Sequence, residues 1–204
     1  MELFDAIKTR RSIRKYKAKP VEEEKIRKII QSATLAPNSE NEQPWKFIVL
    51  TNKEKKRKIA EISIIGGMQH YTPKKDKLDK RFQPVSPEKR KEIVEGLTSG
   101  KLFSFINKAP VLIIVLADNN YVCAVHSASA AIQNLLLAAH GLGLGTCWTM
   151  IGCLTKEHQD EIKELIGYAK NWEIAGIITL GYPDQNPKAR SRKNIDEVID
   201  WQIS

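Results

Sequence analysis

Arg10, Arg11, Ser12, Ile13 and Arg14 place three guanidiniums and one hydroxyl within five residues near the start of the chain. In extended backbone alternate side chains share a face, so Arg10, Ser12 and Arg14 would point one way and Arg11 and Ile13 the other. Two Arg forks beside a hydroxyl suit a phosphate monoester. A guanidinium offers paired planar donors and keeps its charge at any working pH. Taken alone, five such residues are most simply a solvated basic turn. Their weight comes from three other stretches.

The first is the loop Ala36-Pro37-Asn38-Ser39-Glu40-Asn41-Glu42-Gln43-Pro44-Trp45. Its amides and hydroxyls can donate to and accept from the edge of a heterocycle, or they can build an ordinary Asx-rich turn. Both readings stay open on the loop alone. The second is Gly141, Gly143 and Gly145, running into Thr146–Ile151 with Trp148 at its centre. These glycines follow a helical pattern. A dinucleotide fingerprint follows a strand and opens a helix, so a Rossmann site is disfavoured here. The third is the tail Pro187–Lys193, which carries four cations.

No acid–base pair or activated nucleophile stands out. His140, Cys147, Cys153 and His158 have a spacing that fits no common metal site. Three cysteines make no disulfide framework and read as buried thiols.

The elements that must position these residues follow from periodicity. Residues 2–9 read as a short helix feeding the Arg cluster. Pro20 opens a second, with Glu22, Glu23 and Glu24 in its first turn and Ile26, Ile29, Ile30 and Ala33 on one face. It should stop before Pro37. Lys46–Thr51 reads as a strand, and Lys53–Ile65 as a helix ended by Gly66-Gly67. Residues 68–106 are Lys-rich and punctuated by Pro73, Pro84 and Pro87, with one helix near Pro87–Leu97. Such an excursion is a lid or binding loop, or a disordered insertion.

Val111–Ala117 and Ile174–Leu180 are strand-length apolar runs buried on both faces. Val122–His140 is a helix rich in Ala and Ser, apolar on nearly all sides, which suits close packing or a partner chain. Thr155 is a plausible N-cap for a helix over Lys156–Gly167. Ile195–Trp201 is weakly amphipathic. No repeat or linker divides the chain, so 1–204 is expected to be one domain.

With 204 residues and a formal charge of +9, anionic partners are favoured: nucleotides, phosphates, nucleic acid or a membrane surface. The Lys runs are in the main solvated faces. No recognised nucleic-acid motif is present, and the aromatics are not interleaved with the basic runs. The N-terminus lacks a signal-peptide core, and the longest apolar run, Ala109–Ala117, is too short to span a bilayer. The expected setting is cytoplasmic, with neither nucleic acid nor membrane as partner.

In four ordered stretches the chain resembles the flavin-dependent nitroreductase family. These are Arg-Arg-Ser-x-Arg at 10–14, Ala-Pro-Asn-Ser-x-Asn-x-Gln-Pro-Trp at 36–45, Gly-Leu-Gly-Thr-Cys-Trp at 143–148, and Leu-Gly-Tyr-Pro at 180–183 followed by a basic tail. The resemblance implies an α+β fold, with a mainly antiparallel central sheet flanked by helices. It implies an intertwined homodimer with two FMN sites at the subunit interface, and 66–106 as the segment covering the substrate.

Residue by residue, Arg10, Arg11, Ser12 and Arg14 match positions that hold the FMN phosphate, ribityl chain and pyrimidine edge. Asn38, Ser39 and Asn41 match the loop that the partner chain lays against the flavin. Trp148, Thr149 and Met150 match the segment beside the isoalloxazine ring. Arg192, with Arg190 and Lys193, matches the tail cations on the phosphate. Asn38 and Glu40 depart from the family in standing where smaller residues are frequent.

The physics agrees. The FMN phosphate carries about two negative charges, and a cation such as Arg14 at the pyrimidine edge would stabilise reduced flavin. The implied activity is an NAD(P)H-dependent FMN oxidoreductase. A nicotinamide gives up hydride and leaves, and a nitroaromatic, quinone or similar flat electrophile then takes the electrons, in a ping-pong cycle. The rivals are reductive dehalogenation or flavin breakdown on the same fold, a flavin sensor without turnover, and a basic nucleic-acid-binding domain.

Overall fold

The computed structural model describes residues 1–169 and 171–202. Four strands, β1 (Trp45–Leu50), β2 (Val111–Asp118), β3 (Gly145–Thr149) and β4 (Trp172–Gly181), form one antiparallel sheet in the order β1-β2-β4-β3. Eight helices accompany it among the described residues: α1 (Leu3–Thr9), α2 (Glu23–Thr34), α3 (Lys53–Tyr71), α4 (Lys75–Arg81), α5 (Pro87–Thr98), α6 (Phe105–Lys108), α7 (Ala124–Gly141) and α8 (Lys156–Ile166).

The sheet is the middle of three layers. The pleat turns Val111, Ile113, Val115 and Ala117 toward α2 and α7, and Leu112, Ile114 and Leu116 toward α3, α6 and α8. Both faces of β2 are therefore dry, as its unbroken apolar run requires. On α7 the small residues Ala128, Ala131 and Ala139 are fully buried, and α2 packs against this helix with Asn134 Nδ2 donating to the Ser32 carbonyl at 3.3 Å. Each fully buried Ile or Leu contributes about 1.5–3 kcal/mol.

In the β2–β4 pairing, Val115 faces Gly176 and Leu116 faces Ile174, so Ala175 has no opposite number. An extra residue in a ladder has unpaired backbone groups. The Trp148 indole N–H donates to the Ala175 carbonyl at 3.3 Å and satisfies it. Gly176 makes room for that indole, since a Cβ there would meet Nε1 at 2.4 Å.

Several boundaries differ from the sequence expectation. Helix α2 begins at Glu23 rather than at Pro20, because Glu22 is still extended and its carboxylate accepts from the Tyr182 hydroxyl at 2.6 Å. Helix α7 begins at Ala124, after Cys123 at φ 57°. Helix α3 does not end at Gly66-Gly67 but continues to Tyr71. There the glycines serve packing: a Cβ on Gly66 would stand 2.3 Å from the Ile151 carbonyl oxygen, and one on Gly67 2.5 Å from the Phe103 ring. Residues 68–106 are largely helical rather than irregular. Pro87 sits in the first turn of α5, where proline costs no hydrogen bond. After β4, among the described residues, the tail holds a single 3-10 turn, Ile195–Glu197, capped by Asn194. No helix among the described residues is long and apolar enough to cross a membrane.

Candidate functional site

The Arg-rich stretch is held against the edge of the sheet by backbone contacts. Strand β3 is an edge strand, and Ser12 bridges Thr146 on it. Ile13 N donates to the Thr146 carbonyl at 2.8 Å, Lys17 N to Tyr182 at 2.9 Å, and Asp184 N to Lys15 at 3.0 Å. Ile13 is buried over Gly145, where a Cβ would come within 2.8 Å of its side chain. The Tyr16 hydroxyl lies 2.5 Å from both the Ile13 carbonyl and the Thr179 hydroxyl. Burial raises the Tyr16 phenol well above its ordinary value. Residues 12–16 are thus sewn to β3 and to the end of β4.

Beside this seam lies an open basin of about 930 Å³. Arg10, Arg11, Ser12 and Arg14 line one side, and Lys188, Arg190 and Arg192 line the tail side. Lys8 adds a further cation, and no Asp or Glu is among the lining residues. Arg11 does not turn away as strict alternation would have it. A single bridge is not a strand, and its guanidinium folds back to donate to the Lys8 and Arg10 carbonyls, each at 2.8 Å.

Burial lowers the affinity of Arg10 for its proton, and neighbouring Arg11 and Arg192 add repulsion. The first and last arginines of the chain's two basic stretches are therefore electrostatic neighbours. Arg14 reaches over the Phe105 ring at 5.7 Å, linking the basin to the return of the 68–106 segment. Burial pushes the Cys147 thiol up, against the pull of Arg14, Ser12 and Arg10, and pushes Cys153 up to about 12. Both thiols are inert at neutral pH.

The other expected residues lie elsewhere. Trp148 is turned into the layer with α7, where it holds the Ala175 carbonyl. The Thr149 hydroxyl accepts from Ile151 N at 3.4 Å, and Met150 packs on the opposite layer. Asn38, Ser39 and Asn41 are not among the basin's lining residues. Asn38 Oδ1 accepts from Gln43 N at 2.8 Å, and Ser39 N donates to the Ser127 hydroxyl at 3.4 Å. That loop holds Glu40, Asn41 and Gln43 at positive φ. Lys193 is likewise not a lining residue.

Sequence reasoning missed Tyr16 and Gly145 as supports, because their partners are remote in the chain. It also left Lys188 out of the site, although the run of tail cations signalled it. Among the described residues no group of three or more His, Cys, Asp or Glu could hold a metal ion.

The model of the nitroreductase family matches residues 7–182. The chain belongs to the nitroreductase family. A protein of Methanothermobacter thermautotrophicus, provisionally named NADH dehydrogenase/NAD(P)H nitroreductase, is 34% identical over 202 residues, covering 97% of this chain and 86% of that one. An FMN-dependent nitroreductase of Clostridium difficile R20291 superimposes with a TM-score of 0.72 at 29% identity, over 98% of this chain and 99% of that one. An iodotyrosine deiodinase bound to FMN and 3-iodo-L-tyrosine superimposes with a TM-score of 0.78 over the full length of both chains. At 22% identity it shows the nitroreductase-like fold alone.

The family match ends at Tyr182, so it includes Arg10–Arg14 but not the tail cations. The case for Arg190 and Arg192 therefore rests on their place in the basin. The residues present fit FMN. Arginines crowd together without an acid among the lining residues, and none forms an ion pair among the described residues. Such a cluster is complete only with an anion, and a phosphate monoester supplies one.

Proposed function

We propose that the basin holds FMN and that the protein is an oxidoreductase using NAD(P)H to reduce nitroaromatics, quinones or similar flat electrophiles. The observation that carries this reading is the convergence of Arg10, Ser12, Arg14 and Arg192 on one acid-free basin within a nitroreductase fold. FMN, when bound, supplies the hydride chemistry between a nicotinamide and an acceptor in a ping-pong cycle.

The chain supplies position and field. Arg10, Ser12 and Arg192 would hold the phosphate, with Arg11 adding charge from its folded-back position. Arg14 is the cation for the pyrimidine edge. The segment Trp148–Met150, at the end of β3 and just past it, would present backbone, since the Trp148 indole is committed to Ala175. No general acid or base is needed from the protein when the cofactor carries the redox step.

The reading includes a cytoplasmic homodimer in which a second copy brings Asn38, Ser39 and Asn41 to the flavin, and a lid formed by 66–106. Within one chain Asn38, Ser39 and Asn41 are not among the residues lining the basin, so in this reading they reach the flavin only from a second copy.

The test is steady-state turnover of NADH and NADPH with 4-nitrobenzoate, benzoquinone and 3-iodotyrosine, alongside sedimentation. A yellow dimer that turns over the first two is expected. Turnover of 3-iodotyrosine alone would favour the dehalogenation reading, and no turnover with any acceptor would overturn enzymatic function.

A further inference from the structure

His140 stands behind the Arg-rich stretch without lining the basin. It lies in the last turn of α7, and its Nε2 is 2.8 Å from the hydroxyl oxygen of Thr9, the residue before Arg10. Helix α1 packs on α7. A threonine hydroxyl has one proton to give. Thr9 gives it to the Asp5 carbonyl at 2.5 Å, so the imidazole is the donor in the Thr9–His140 bond. Neutral His140 therefore carries its proton on Nε2 and leaves Nδ1 bare. This clip ties the end of α7 to the last residue of α1, from which Arg10 and Arg11 emerge.

Opposed influences act on this ring. The end of a helix presents carbonyl oxygens and favours an imidazolium there. Burial, and then the cations Arg10 and Arg11, disfavour it and hold His140 below its ordinary value of 6.5. Helix α7 itself carries no Asp, Glu, Lys or Arg. The elements packed on it bring Asp5 and Lys8 on α1, the charged run Glu23–Lys28 on α2, and the Cys147 thiol on β3, which burial keeps protonated. Lys46, Asp118 and Glu173, on β1, β2 and β4, sit at the end of the sheet where α7 begins, remote from His140. The charges that act on the ring are those of Arg10 and Arg11.

We infer that His140 is a positioning residue for the phosphate site, holding Arg10 through Thr9 and taking a proton from solvent onto Nδ1 when a phosphate monoester binds Arg10 and Arg11. The inference rests on the reading of the basin as a flavin site. The bound phosphate brings about two negative charges and cancels the repulsion that the two arginines exert on the ring. The helix end then favours the imidazolium against burial alone. Nε2 donates to Thr9 in both protonation states, so the clip survives the change. The complex holds the proton more tightly than the free protein does. FMN binding therefore strengthens as the pH falls through the window around and below 6.5, and the gain is lost as the pH rises above it.

The test follows the His140 ring by NMR in the full chain as pH is varied, first without flavin, then with FMN, then with riboflavin, which lacks the phosphate. FMN should raise the pH at which the ring titrates, and riboflavin should leave it in place. His140→Gln keeps a donor for Thr9 and removes the titration. The ratio of FMN dissociation constants, His140→Gln over parent, should grow severalfold between about pH 8 and about pH 5. The phosphate's own titration at about pH 6 is common to both proteins and cancels in the ratio. His140→Ala removes the clip as well, so its dissociation constant should exceed that of His140→Gln about threefold to tenfold at every pH.

A ring that titrates unchanged with FMN bound, an equal shift with riboflavin, a pH-independent ratio for His140→Gln, or equal affinity of His140→Ala and His140→Gln would overturn the inference. If the ring does not respond while FMN binds and a nicotinamide is turned over, this inference fails while the oxidoreductase reading stands. If inorganic phosphate shifts the ring in a protein that binds no flavin, the proton link stands and the flavin reading fails.

Discussion

Gly145 lies directly beneath Ile13, with no room between them for a methyl group: a Cβ on Gly145 would stand 2.8 Å from both Cβ and Cγ1 of Ile13. The contact fixes how closely the Arg-rich stretch approaches β3, and so where its guanidiniums stand. Ile is stiff at χ1 and cannot swing aside cheaply. Gly145→Ala should cost about 1–3 kcal/mol of stability and weaken FMN binding as well. Urea denaturation and flavin-fluorescence titration measure the two effects. Adding Ile13→Ala should recover part of the FMN affinity lost through the clash. A Gly145→Ala protein that binds FMN like the parent would show that the seam does not position the site.

Arg192 contributes charge and little packing, since it is exposed on the tail. Arg192→Ala should leave the melting of the apo-protein almost unchanged. A charged hydrogen bond is worth about 1.5–3 kcal/mol, so the FMN dissociation constant should rise roughly tenfold to a hundredfold. The extra stability conferred by added FMN should shrink in step. Arg192→Lys should recover only part, because a point charge does not reproduce the fork.

Tyr16 should set part of the alkaline limit of the fold. Its phenol is raised above the ordinary value of 10.0, chiefly by burial, so the folded chain keeps a proton that the unfolded chain has released. Stability is then full below about pH 10 and falls as the pH rises beyond it. Tyr16→Phe removes that titration. It also leaves the Ile13 carbonyl without its partner, at about 1–3 kcal/mol. Denaturation from pH 7 to 11 should show a lower but flatter profile for the variant. A parallel profile would mean that the phenol does not titrate with unfolding.

Glu40 sits at φ 54° and ψ 17°, a left-handed conformation, without a side-chain hydrogen bond among the described residues. That conformation costs a residue with a Cβ about 1–2 kcal/mol, while glycine adopts it freely but loses more entropy on folding. Glu40→Gly should therefore stabilise the protein by about 0.5–1 kcal/mol in thermal or urea unfolding. Destabilisation would mean that the glutamate makes contacts, with a second copy for instance, that outweigh the strain.

Local patterns were legible in the sequence where one neighbourhood decides the outcome. The apolar run of β2, the Thr155 cap of α8 and the Arg10–Arg14 cluster each carry their signal within a few residues, and each stands in the structure. Features decided by remote partners were not legible. Gly66 and Gly67 looked like a helix stop because glycine is poor in helices. They are helical because Ile151 and Phe103 need the space. The prolines of 68–106 suggested one helix near Pro87–Leu97 in otherwise irregular chain; that helix stands as α5, but the end of α3 and all of α4 are helical there too. Tyr16 carried no readable signal in the sequence, because its partner Thr179 is 163 residues away. For the site, the guanidiniums could be listed from the sequence, but the bridge from Ser12 to Thr146 that aims them could not.

The central claim is that the acid-free basin is an FMN phosphate site, and the most direct measurement is the identity of the flavin the protein holds. The purified protein should be denatured, the released flavin chromatographed, and the apo-protein titrated with FMN and FAD while flavin fluorescence is followed. The account predicts that FMN is released, that apo-protein takes FMN back, and that affinity falls when Arg10 or Arg192 is replaced by Ala. Release of FAD, or FMN binding indifferent to both arginines, would contradict it.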